Sequence, residues 1–167
     1  MKKINNSLHY TLLSGLLVAA LMFASVSQAA VSKTAVGQPF PITVAQDQHE
    51  KDVQLSQDVR YVLISFDMST GKQANQYLSA KGQSFLDKHH AVFMANIYGM
   101  PWIGRKFALP KMKKYKHRIL LLDKEGLLDG FPEKEGEVIV FELDAVNTII
   151  GVRYWDPATA LIFNDNQ

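Results

Sequence analysis

The apolar run Tyr61-Val62-Leu63-Ile64-Ser65-Phe66 stops abruptly at Asp67-Met68-Ser69-Thr70-Gly71-Lys72, beyond which the apolar residues recur at helical spacing. An unbroken run of this length reads as a strand covered on both faces, the kind found inside the sheet of an α/β protein. The polar turn then delivers the chain to the start of a helix, where backbone N–H groups point outward without intrahelical partners. A buried strand feeding a helix commits the chain to the α/β class.

The rest of the chain is read around that corner. Residues 1–29 have the pattern of a secretory signal: Lys2 and Lys3, an apolar stretch from Leu12 to Phe23, and the small-x-small sequence Ser27-Gln28-Ala29. The stretch is short for a bilayer span and no basic stop-transfer cluster follows it. Cleavage and a periplasmic product without stable membrane insertion are therefore expected. Residues 30–36 are expected to form a flexible leader, and residues 37–165 a single domain. The chain has no cysteine, which excludes disulfide staples and thiol chemistry and leaves packing alone to hold the fold. Without Lys2 and Lys3, the 18 Lys+Arg become 16 against 16 Asp+Glu. That net balance points neither to nucleic acid nor to a membrane surface.

Within the domain, residues 37–44 read as an edge strand because Pro39 and Pro41 remove ladder donors. A turn at residues 47–52 and a short return at 53–55 complete an N-terminal hairpin. The central strand, residues 60–66, is followed by a helix over 72–88 that Gly82 weakens. Residues 91–98 form the next strand, and strand-helix-strand argues for a right-handed parallel crossover. A second helix spans 103–115 with Pro110 inside it. Residues 118–123 form a third inner strand, 137–143 and 148–154 two antiparallel edge strands. Asp156-Pro157 supplies the cap and first residue of a short C-terminal helix carrying Leu161, Ile162 and Phe163.

This order resembles the thioredoxin-like fold of exported thiol-disulfide proteins and peroxiredoxins: a central mixed sheet flanked by helices, with an N-terminal β-hairpin and a short C-terminal helix. Where that superfamily carries Cys-x-x-Cys, this chain reads Met68-Ser69-Thr70-Gly71. Where a cis-proline precedes the third inner strand, it reads Lys116-His117-Arg118. The chain also resembles a group of small exported proteobacterial proteins through its blocks Ser65 to Met68, Asn96 to Pro101, Lys106 to Met112, Leu121 to Gly126 and Lys134 to Val138. Members of that group are often labelled FAD/FMN-containing dehydrogenases. A dinucleotide site needs a Gly-x-Gly-x-x-Gly turn to admit the pyrophosphate, and the sequence has none, so no cofactor is expected.

Three constellations bear on function. Asp67, Ser69, Thr70, Gly71 and Lys72 read either as a helix cap or as an anion site built from helix dipole, small glycine and ammonium. Seven Lys or Arg and no acid lie between Pro101 and Arg118, whereas residues 123–144 hold eight acids against Lys124 and Lys134. These zones are solvated faces that offset each other, or the basic one docks an acidic partner. His89 and His90 at a strand start should point to opposite faces, and no spacing supports a metal site. Met94, Met100, Met112, Trp102, Phe107 and Leu109 follow core spacing, with Met100-Pro101-Trp102 also readable as an aromatic lip.

The resulting expectation is an exported, non-redox thioredoxin-like module. It would hold a protein or peptide partner, or a small anion, at an edge formed by Asp67, Ser69, Thr70, Gly71, Lys72, Met100, Pro101, Trp102, Lys116, His117 and Arg118. The alternative is an enzyme, either a flavin-dependent oxidoreductase as the resemblance implies or a small hydrolase. No Gly-x-Ser-x-Gly elbow frames Ser65, Ser69 or Ser84 for the latter.

Overall fold

The computed structural model describes residues 34–163. The signal expected over 1–29, the first part of the leader and the last two residues of the expected domain lie outside them. In chain order the elements are β1 (Val44–Asp47), β2 (Asp52–Gln54), β3 (Tyr61–Ser65), α1 (Met68–Lys81), α2 (Phe85–Lys88), β4 (Ala91–Asn96), α3 (Trp102–Met112), β5 (Leu120–Leu122), β6 (Val138–Leu143) and β7 (Ile149–Trp155).

The strands form one mixed sheet in the order β2-β1-β5-β4-β3-β6-β7. β3, β4 and β5 run parallel, with Ser65 beside Ala95 and Met94 beside Leu120. The hairpins β1–β2 and β6–β7 close the two sides with antiparallel pairs. Every residue of β3 is buried, as its unbroken apolar run requires. Alternation sends Leu63, Phe93 and Val140 to one face, where Ala74 and Leu78 of α1 and Leu86 of α2 cover them. The other face buries Val62, Ile64 and Phe141 beneath Phe40, Ile42, Leu55 and Phe131, all of which come from irregular chain or loops. Helices thus cover only one face of this sheet completely, and aromatic loop residues cover the other.

Several boundaries differ from the sequence reading for identifiable reasons. The helix expected over 72–88 starts earlier, at Met68, because Asp67 caps it. It breaks at Gly82, whose φ of 95° leaves the helical region, so that α2 is a separate short turn. The edge strand expected over 37–44 is reduced to a bridge between Pro39 and Thr148, flanked by Gly37 N–H donating to Ile149 O at 2.8 Å. β6, expected at the edge, is an inner strand paired with both β3 and β7. Residues 156–163, expected to begin a short helix, form a turn and irregular chain. There Trp155 Nε1–H donates to Thr159 O and Leu161 N–H donates to Tyr77 Oη, so tertiary partners take groups that a helix would have paired.

The position of β6 moves one landmark. The strand that pairs antiparallel with β3 is β6, and Gly136-Glu137 precede it. Lys116-His117-Arg118 instead precede β5, which runs parallel to β4. Lys116 and Arg118 therefore enter the sheet at the end opposite to the corner that follows β3.

Candidate binding cleft

The corner is built by one carboxylate. The N–H groups of Ser69 and Thr70 donate to Asp67 Oδ1 at 2.8 and 2.9 Å, and the Thr70 hydroxyl donates to Oδ2 at 2.6 Å. Burial alone would raise the Asp67 carboxyl, but these bonds from Thr70 and Ser69 hold it below the usual carboxylate range. The helix start is thus already satisfied by an internal anion. Beside it, Glu133, Glu135 and Gly136 of the turn before β6 line a shallow groove with Asp67, Ser69 and Thr70. Acidic groups on that side oppose a further anion.

On the other side of the corner the chain leaves an open cleft. Its volume is about 700 Å³, and Ser65, Ala95 and Asn96 at the carboxyl ends of β3 and β4 form its floor. Met68, Gly71, Lys72 and Asn75 of α1 make one wall, and Gly104, Phe107, Ala108 and Lys111 of α3 the other. Met100, Met112 and Tyr115 complete it. Small residues give the cleft its width. A Cβ on Gly71 would stand 3.0 Å from Ser65 Oγ, and one on Gly104 would stand 3.2 Å from Met100 Cγ. Most of the lining is apolar, and Lys72 and Lys111 bring two ammonium groups to its edge.

α3 is held in place from its ends. Arg105 forks onto Asp123 with two contacts of 2.5 Å and also donates to Ile97 O at 2.8 Å and Met100 O at 3.2 Å. The hydrogen bond from Arg105 keeps Asp123 below the usual range, and Asp123 in turn raises Arg105. Met112 and Tyr115 pack against the core beneath α1.

Behind the cleft lies a buried polar chain. Asn75 Nδ2–H donates to Gly71 O at 2.8 Å, and Asn75 Oδ1 lies 2.9 Å from His117 Nε2. The His117 carbonyl accepts from Gln48 Nε2–H at 2.9 Å, and Gln48 Oε1 accepts from Ile119 N–H at 2.9 Å. His117 is only 2% exposed, and burial pushes it down to about 4.

The residues expected at one edge therefore divide. Asp67, Ser69, Gly71, Lys72 and Met100 border the cleft, while Thr70 is buried beside the cap. Pro101 and Trp102 are exposed at the start of α3, outside the cleft lining. His117 does not line the cleft itself and touches it through Asn75 and the Tyr115 ring. Lys116 and Arg118 line a separate groove of about 430 Å³ together with Asp47, His49 and His90. Phe107, expected in the core, is exposed. Sequence reading passed over Asn75, Gly104, Ala108 and Tyr115. Met100, Gly104 and Ala108 recur every fourth residue, a stripe that marks one helix face open to close approach.

The cleft has no thiol, and its buried Ser65 and the shielded His117 are not bonded to each other. Among the described residues no group of three or more His, Asp or Glu could hold a metal ion.

Strand order, crossover and corner together define the thioredoxin-like fold, here without a single cysteine. The solved structures to which it is similar carry that fold. One is a protein assigned as the thiol:disulfide interchange protein DsbE of Chlorobium tepidum, with a TM-score of 0.52, 14% identity, and coverage of 75% of this chain and 89% of that one. A second is the thioredoxin domain of a thiol-disulfide oxidoreductase from Bacteroides vulgatus, at TM-score 0.50, 20% identity, and coverage of 74% and 91%. A third is a thiol:disulfide interchange protein from a Bacteroides species, at TM-score 0.50, 18% identity, and coverage of 75% and 85%. Comparison of the sequence with family profiles and with curated proteins gives no match. At these identities the likeness concerns the fold alone.

Proposed function

We propose that this chain is an exported, non-redox binding module that uses the thioredoxin-like corner to hold a peptide segment of a partner protein. The observation that carries the reading is the open cleft of about 700 Å³ between α1 and α3. It lies at the carboxyl ends of parallel strands, where open α/β sheets place their ligands. Its apolar walls suit one or two apolar side chains of a peptide, and Lys72 and Lys111 suit a carboxylate flanking them. A small anion bound at the helix start itself is less well supported, because Asp67 occupies the first-turn amides and Glu133 and Glu135 stand beside it. The flavin reading fares worse on the same ground. The pyrophosphate of a dinucleotide would meet the Asp67 carboxylate where it needs free amides and glycines, so the residues do not fit that group.

The test is a titration of ¹⁵N-labelled protein with short acetylated peptides that pair Leu or Phe with Asp or Glu. Shifts should concentrate on Met68, Asn75, Gly104 and Ala108, and Ala108→Trp, which fills the cleft, should abolish them. A panel that moves no cleft resonance, or moves them equally in Ala108→Trp, would remove the reading.

A further inference from the structure

The outer side of α3 is the most unusual surface on the molecule. No residue of this 11-residue helix is buried. Gly104, Arg105, Ala108, Leu109 and Met112 are half-buried against the body of the protein. The opposite face carries Trp102, Ile103, Lys106, Phe107 and Lys111, all exposed and spaced as one side of an α-helix, and Lys114, also exposed, follows in the turn beyond its last residue. Trp102 is 73% exposed and Phe107 72%, which is costly for two large rings unless something covers them. Met68, also exposed, lines the cleft together with Phe107.

The charge on this face is of one sign. No acid occurs from Pro101 to Arg118. Two of the seven cations there are already paired, Arg105 with Asp123 and Lys113 with Glu50. Lys106, Lys111 and Lys114 have no ion-pair partner among the described residues. Aromatic and branched side chains at the start of the helix are thus followed by unpaired ammonium groups along the same face and in the turn beyond it. This is the combination that seats a helix in the headgroup region of an anionic bilayer: rings at the polar-apolar boundary, lysines against phosphates.

We propose that α3 is a peripheral membrane-docking helix, whose Trp102, Ile103 and Phe107 enter the headgroup region of a bilayer while Lys106, Lys111 and Lys114 neutralise anionic lipid phosphates. The seat is superficial, since no helix among the described residues is long and apolar enough to cross a membrane. It shares Phe107 and Lys111 with the wall of the cleft, but Trp102, Ile103, Lys106 and Lys114 lie outside the cleft lining, so a readout at Trp102 separates it from the cleft reading.

The molecule contains its own probe. It has two tryptophans, Trp102 exposed and Trp155 buried at 3%, and residues 1–33 contain none, so any lipid effect on fluorescence reports on α3. The full chain is mixed with phosphatidylglycerol or phosphatidylcholine vesicles containing brominated acyl chains, at low and high salt. With phosphatidylglycerol at low salt, emission should shift to the blue and be quenched, and Trp102→Phe should lose the quenching. High salt should weaken the effect. The double variant Lys111→Glu, Lys114→Glu, checked for an unchanged circular dichroism spectrum, should bind at least about tenfold more weakly. Absence of quenching on phosphatidylglycerol, or equal quenching on the neutral lipid, overturns the proposal. So does vesicle binding that leaves Trp102 unquenched, since another part of the chain then makes the attachment. A Trp102 response to soluble poly-glutamate but not to vesicles assigns the face to an acidic protein and equally overturns it.

Discussion

His117 Nε2 and Asn75 Oδ1 lie 2.9 Å apart, and this contact fastens the chain before β5 to the middle of α1. Because Asn75 uses its amide nitrogen on Gly71 O, its oxygen faces the ring, which places the proton on Nε2. Nδ1 is then a bare acceptor, buried and without a partner. A second proton on Nδ1 would be buried with no acceptor among the described residues.

That geometry gives stability a defined dependence on pH. The unfolded chain protonates His117 near its ordinary 6.5, whereas the folded protein does so only near about 4. Between these values the unfolded state binds more protons, so stability falls as the pH drops through that window and is level above it. The loss approaches about 3 kcal/mol at its lower end. Asp47, Asp67 and Asp123 are held below their ordinary 3.8, so their contribution disappears only at still lower pH. Urea midpoints measured from pH 4 to 8 should slope in the native protein and flatten in His117→Gln. Equal slopes in both would refute the assignment.

Gly71 and Ser65 should behave as a coupled pair. Alanine normally gains about 1 kcal/mol over glycine within a helix. Here the added Cβ would meet Ser65 Oγ at 3.0 Å, and both residues are buried. Gly71→Ala alone is therefore expected to lose about 1 kcal/mol instead of gaining it. Combined with Ser65→Ala, the penalty should vanish, giving a coupling of about 1 kcal/mol in a double-mutant cycle. Additive values from denaturant melts would show that the close approach is not felt.

Arg105 should matter more for its carbonyl contacts than for its charge. Its pair with Asp123 is partly exposed and contributes little on that account. The bonds to Ile97 O and Met100 O fix the turn that sets the start of α3. Lysine cannot reproduce this fork. Arg105→Lys is expected to cost about 1 kcal/mol and to speed amide exchange between residues 98 and 105. A melt and exchange profile like those of the native protein would contradict this.

The buried strand, the corner and the parallel crossover were legible because apolar runs and helical spacing record burial directly. Asp67 was legible as a cap for the same local reason: its partners lie two and three residues ahead. The inner position of β6 was not, since short apolar strands compete for the place beside β3 and only tertiary packing decides. The C-terminal helix failed where Tyr77 and Trp155 captured backbone groups of residues 161 and 159. Phe107 and Trp102 looked like core because spacing on a helix identifies a face without saying what covers it. The union of Asn75 with His117, 42 residues apart, leaves no trace in either local sequence.

Met68, Met100 and Met112 line the cleft together. Thioether chains have three rotatable bonds and no branching, so walls made from them mould to whatever shape they meet. A recess of this kind should discriminate poorly between a leucine and a phenylalanine. It is also open to peroxide: sulfoxide on Met68 would put a strong polar dipole where a soft, water-shedding thioether now stands.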